Sequence, residues 1–165
     1  MVPHHLGRKR NTKIRLFSDI NKFIFVGGFQ YLCGMITLRD KNISMDQSYK
    51  IVNLTIQWCQ KYFEEPVIKR RKELLVMVYD SPTNQVYGQY CDKNNWLTIN
   101  LHFCGSVKDI IQTTIHEYTH FCQDLKEYSL MNKRVGYDKN PFEVEAQYNE
   151  IMYYKNCWRS IKNKL

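Results

Sequence analysis

The chain has 165 residues, 44% hydrophobic and 24% charged, which suits one folded domain and excludes a disordered or low-complexity protein. A chain of this length buries roughly 70% of its extended surface, enough for one hydrophobic core. The net charge of +8 fits acidic or nucleic-acid partners. The cations, however, crowd into Arg8, Lys9, Arg10, Lys13 and Arg15, then Lys69, Arg70, Arg71 and Lys72, where a solvated tail and a solvated helix end explain them equally well. Nucleic acid is therefore the less favoured partner.

Residues 1–15 read as a basic, flexible N-terminal segment and residues 16–165 as a single domain. The apolar run at 23–39 is interrupted by Gly27, Gly28 and Gln30 and is short for a membrane span, so two buried strands around a glycine turn fit it better. From Asp46 to Phe63, the apolar positions Tyr49, Ile51, Val52, Leu54, Ile56, Trp58, Cys59 and Phe63 follow helical spacing, and Pro66 stops that helix. "ELLVMVYD" (73–80), "QVYGQYC" (85–91) and "WLTINLHF" (96–103) read as three strands parted by the turns "SPTN" and "DKNN".

Ser106 with Asp109 three residues on marks a helix start, and this helix should run to about Lys126. A loop is expected over 128–140. Asn140-Pro141 then opens a last helix, with Asn as N-cap and Pro at the first helical position, continuing to about Ile161. The expected architecture is α+β: a small mixed sheet of about three to five strands packed on one central helix, with a C-terminal helix beside it. Cys33, Cys59, Cys91, Cys104, Cys122 and Cys157 form no C-x-x-C and no disulfide framework, so they read as reduced thiols of an intracellular protein. Abundant Ile, Lys, Asn and Tyr beside a single alanine, Ala146, point to an AT-rich genome of viral or phage type.

The central helix contains His116-Glu117-Tyr118-Thr119-His120, an H-E-x-x-H pattern. At about 100° per residue, Val107, Ile110, Ile111, Thr114, Tyr118, Phe121, Cys122 and Leu125 form one apolar stripe. His116 and His120 lie on the opposite side, about 40° apart, with Asp109, Gln112 and Gln123. Histidines so spaced can both reach one ion at about 2.0–2.1 Å, and Glu117 on their flank can reach a water on that ion. No histidine follows His120, so a third ligand must be sought among Asp124, Glu127, Asp138, Glu143, Glu145 and Glu150. Asp124 and Glu127 share the histidines' expected helix and cannot wrap round to complete a tetrahedron. "NPFEVEAQ" offers Glu143 and Glu145, about 200° apart, so only one of them can face a metal. Cys122 reads as core, and His102, ending a strand, as structural or exposed.

These two motifs resemble those of gluzincin zinc metallopeptidases, which join H-E-x-x-H on one helix to a glutamate in an E-x-x-A or E-x-x-S segment of the next. Glu143-Val144-Glu145-Ala146 matches that register. The resemblance covers residues 113–123 and 140–147, and loosely the strands from residue 73. It implies a zincin-like fold with Zn2+ held by His116, His120 and Glu143, Glu145 being the alternative third ligand. It also implies Glu117 as general base and a peptide or protein substrate along an edge strand at 85–91, with Tyr87, Gly88 and Tyr90 lining the cleft. Tyr128, Arg134 and Tyr137 are the candidates to stabilise an oxyanion, and Tyr137 stands nearest the last helix. The family often carries Asp or Glu after the small residue; Gln147 stands there in this chain, so the partner of one ligand histidine is left open. Two rival readings use the same residues. One is an inactive zincin-fold binding module. The other is a basic nucleic-acid-associated protein with a structural zinc, which would need a fourth protein ligand.

Overall fold

The computed structural model describes residues 15–16, 37–38, 41–63 and 73–165. The strands expected around Gly27-Gly28, most of the basic N-terminal segment, and Pro66 lie outside them. Three short backbone pairings come first: β1 (Arg15–Leu16), β2 (Thr37–Leu38) and β3 (Lys41–Asn42), with β2 and β3 antiparallel.

Helix α1 (Met45–Tyr62) starts at Ser44. The Ser44 Oγ accepts the Gln47 amide at 3.2 Å and Gln47 Oε1 accepts the Ser44 amide at 2.9 Å, so each side chain satisfies a donor the helix end leaves free. Ile51, Val52, Ile56, Trp58 and Cys59 turn inward, as their spacing predicts.

The strands β4 (Leu75–Tyr79), β5 (Gly88–Cys91) and β6 (Trp96–Asn100) occupy the three expected segments. The sheet order is β1-β4-β6-β5, with β4 parallel to β1 and β6 and β5 antiparallel to β6. The sheet is thus mixed, and β5 is an edge. Asn95 closes the β5–β6 turn at φ 55°, a left-handed conformation that asparagine tolerates. Its side chain accepts from the Tyr90 hydroxyl at 2.8 Å and donates to the Glu73 carbonyl at 2.6 Å. β6 stops at Asn100, earlier than its alternation suggests, because Asn100 is spent on the β4–β5 connection. Its amide donates to the Ser81 and Asn84 carbonyls at 2.9 and 2.8 Å.

Helix α2 (Val107–Cys122) starts at Ser106 as expected but ends four residues before Lys126. Asp124 breaks it. The Asp124 Oδ1 accepts the Lys126 and Glu127 amides and opens a new helix, α3 (Leu125–Val135), so the segment read as a loop is largely helical. α3 buries none of its residues fully; Leu125, Tyr128 and Met131 recur on one side at helical spacing and are half-buried. Gly136, at φ 78°, ends it, and a 3-10 turn at Tyr137–Lys139 leads into α4 (Pro141–Ile161), whose limits match the expectation.

α2 itself is covered on both sides. Its apolar stripe is buried, with Ile110, Ile111, Tyr118 and Phe121 at most 1% exposed. Each such side chain stabilises the fold by about 1.5–3 kcal/mol. The opposite side, which carries the histidines, is covered too: Thr113, Glu117, Thr119 and His120 are also buried. α4 and β5 pack over that face. Among the described residues no helix is long and apolar enough to cross a membrane.

Candidate metal centre

Two capped helices set the register. The Ser106 hydroxyl accepts the Asp109 amide at 3.2 Å and anchors α2. Asn140 Oδ1 accepts the Phe142 amide at 3.2 Å, and its Nδ2 donates to the Tyr128 carbonyl at 3.2 Å, which ties the α4 start to α3. Glu143, Ala146, Asn149 and Glu150 follow on one face of α4, at helical spacing. Ala146 is wholly buried and has no side chain beyond Cβ to hold the helices apart. Asn149 donates to the Thr119 hydroxyl at 3.4 Å, a direct α4–α2 link.

This packing brings His116, His120 and Glu143 together, with one ligand atom of each within 4.8 Å of the others. The two histidine Nε2 atoms are 3.1 Å apart. Glu143 offers Oε2 to His116 Nε2 and Oε1 to His120 Nε2, both at 3.4 Å. Glu145 is not in this group. Its Oε2 accepts from Gln123 Nε2 at 2.8 Å.

The far side of each ring decides what the near side can do. His116 Nδ1 meets Glu150 Oε2 at 3.0 Å, and His120 Nδ1 meets Gln123 Oε1 at 2.8 Å. Gln123 Nε2 donates to the Phe142 carbonyl at 2.9 Å and to Glu145, so its oxygen must be the atom facing His120. Both Nδ1 atoms therefore carry their protons toward acceptors. The neutral rings are left with lone pairs on two Nε2 atoms that face each other and a carboxylate. Glu143 Oε2 is buried and has no hydrogen-bond partner. Two imidazole lone pairs and a buried carboxylate converging this closely is costly unless a cation or a proton sits among them. The donor set, two imidazoles and one carboxylate, suits zinc.

Without a metal, a proton takes that place. Burial opposes charge on His116, but hydrogen bonds to Glu143 and Glu150 overcome it and raise its pKa to about 10. Burial likewise opposes charge on Glu143, yet hydrogen bonds from His116, His120 and Tyr128 hold its carboxyl well below the usual range. The Tyr128 hydroxyl donates to Glu143 Oε1 at 2.6 Å, and its ring packs edge-on to His120 at 5.5 Å. Metal uptake displaces the shared proton.

Glu117 lies beside this group on the β5 side and is 7% exposed. Burial raises its pKa, against the pull of the two histidines and of a hydrogen bond from the Tyr90 backbone amide. Gly88 lets β5 come this close. A Cβ there would stand 2.9 Å from Glu117 Cγ, 2.7 Å from Thr113 Cγ2 and 2.9 Å from the Thr98 carbonyl.

A cavity of about 450 Å³ opens against His116 and Glu117 and is bounded by the chain before β5, by α2 and by α4. Tyr87, Gly88 and Tyr137 line it, as expected. Tyr90 does not: it is 7% exposed and packs edge-on against Phe121 at 5.6 Å, because strand alternation turns it to the core face. Arg134 is exposed on α3 and lies outside the cavity lining. His102 sits apart on the surface, 3.1 Å from Asp80.

The histidine partners Glu150 and Gln123 escaped the sequence reading, although a signal existed for each. Glu150 is seven residues past Glu143 and so on its face, and Gln123 is three past His120. Gln147, which stands where the family pattern carries an acid, is exposed; Glu150 supplies the missing carboxylate. No family model matches the chain, and no curated protein or solved structure matches it.

Proposed function

We propose that this protein is a zinc-dependent metallopeptidase of the gluzincin type, acting in a reducing, intracellular setting that suits its free thiols. One observation carries the reading: two Nε2 atoms 3.1 Å apart face a buried glutamate while both Nδ1 protons are already committed elsewhere. Zinc held by His116, His120 and Glu143 would supply Lewis acidity at a substrate carbonyl and lower the pKa of the attacking water. Glu117 takes the proton from that water and returns it to the leaving amine; its buried position and raised pKa suit a base that must give the proton back. Tyr137, half-exposed at the cavity and, like Tyr128, within hydrogen-bonding reach of Glu143, carries the hydroxyl we assign to the oxygen that gains charge. Tyr128 is engaged with Glu143 and serves to orient it. Among the described strands β5 is outermost, and the chain leading into it lines the cavity, where an extended peptide could lie.

Metal analysis of the purified protein should find about one zinc per chain. Glu117→Gln should retain that zinc and the melting temperature while slowing hydrolysis of a broad peptide library by about 10²–10⁴-fold. A protein that neither carries nor takes up zinc would sink the metal centre. Equal cleavage by wild type and Glu117→Gln would leave the metal but remove its assigned base.

A further inference from the structure

The cavity does not stop at the candidate centre. Asp109, Gln112, Thr113 and His116 all line it, and they fall at i, i+3, i+4 and i+7 on one face of α2. The cavity thus follows the helix for about two turns, roughly 10 Å, away from the metal ligands. At that far end stands Asp109. Its backbone amide is bound by Ser106, it lies in the first turn of α2, and the helix dipole favours its charge there.

Charge is distributed unevenly around this space. The chain carries +8 overall, yet among the described residues no Lys or Arg lines the cavity. The ionisable residues among this lining are the carboxylates Asp109, Glu117 and Glu150, with His116, Tyr87 and Tyr137. Among the described residues neither Asp109 nor Glu150 pairs with a lysine or arginine. Carboxylates alone would not define a subsite. Here they share one cavity with Tyr87, a residue 57% exposed, in the chain just before β5. An aromatic wall suits the methylene stem and the cationic head of a long basic side chain, and a carboxylate at the end receives the charge.

We infer that this cavity is a specificity subsite for a lysine or arginine side chain of a peptide substrate, with Asp109 as the residue that selects it. The inference rests on the metallopeptidase reading above and adds the substrate class. Glu150 is engaged by His116 and contributes field rather than the main contact. Asp109 has no such engagement, so it dominates the preference. An acidic side chain in the same place would face Asp109 without compensation and be rejected.

Binding tests this without a known substrate. The full-length, zinc-loaded protein is titrated calorimetrically with two matched sets of tripeptide hydroxamates. The chelating group sits at the C-terminus in one set and at the N-terminus in the other, and the neighbouring residue is Lys, Arg, Leu or Glu. In at least one set, Lys and Arg should bind at least about tenfold tighter than Leu, with Glu weakest, and the preference should shrink as salt rises. Asp109→Asn should bring Lys and Leu within about threefold of each other at unchanged zinc stoichiometry. Equal affinity across the side chains, a Lys preference that survives Asp109→Asn, or zinc-loaded protein that binds no hydroxamate would each overturn the subsite while leaving the metal centre standing. Failure to take up zinc at all overturns the metallopeptidase reading, and the subsite falls with it.

Discussion

Helices α2 and α4 both contribute to the candidate centre, but they are held in place differently. Ten of the 16 residues of α2 are buried, against five of the 21 in α4. α2 is enclosed by α1, the sheet and α4; α4 meets the rest of the protein along one narrow face, and Val144, Tyr148, Ile151 and Met152 on its outer side are each more than half exposed. In α2, fold and site share neighbouring residues: Glu117 faces the cavity while Tyr118, next to it, is wholly buried in the core. In α4, Glu143 and Glu150 in the first half serve the site, whereas Cys157 and Ile161 near its end join the hydrophobic core. A central helix couples chemistry to stability, and a covering helix keeps them apart.

Substitutions can break that contrast. The largest effect should come from Tyr118→Ala. Tyr118 is 0% exposed and packs against Phe63 and Phe121 with ring centroids 6.1 and 5.2 Å away. Its loss should cost about 3–5 kcal/mol, measured by urea unfolding. If the variant keeps wild-type stability, α2 is not the organising element that its burial suggests.

On α4 the effect should appear in metal affinity and spare the fold. Glu143→Ala removes a ligand and should weaken zinc binding by more than about 100-fold, beyond the range typical of residues that merely orient ligands. Glu145→Ala only releases Gln123 from one of its two acceptors, so its effect should stay below about tenfold. Competition with a chelator of known affinity measures both. A greater loss in Glu145→Ala would reverse the assignment of the two glutamates.

Glu150→Gln sharpens the comparison further. The amide preserves the shape but removes the charge that holds the His116 Nδ1 proton at 3.0 Å. Zinc affinity should fall by about 10–100-fold with little change in urea midpoint. A variant that loses stability and not affinity would make Glu150 a structural contact.

The histidine pair and its candidate partner Glu143 were legible in the sequence because they depend on local spacing. H-E-x-x-H on a helix started by Ser106 puts His116 and His120 on adjacent turns whatever surrounds them. Asn140-Pro141 likewise fixes the start of α4 and hence the phase in which Glu143 and Ala146 share a face. The α+β class followed from three strand-like runs flanked by helical ones. α3 was read as a loop although Asp124 offers a cap and Leu125, Tyr128 and Met131 recur at helical spacing; the stripe is short and only half-buried, so it stands out little from its polar neighbours. A carboxylate from the last helix was expected at the histidines, but how completely α4 and β5 bury that face was not legible, because α4 begins 21 residues after His120 and the covering contacts are tertiary.

Sequence alone thus determined which residue types stand one helical turn apart, because backbone geometry fixes that distance. Only the tertiary structure decided which glutamate meets the histidines, which groups hold their outer nitrogens, and how closely Gly88 brings β5 to Glu117. Those are contacts between elements, set by how α4 and β5 pack on α2, and no local rule along the chain specifies them.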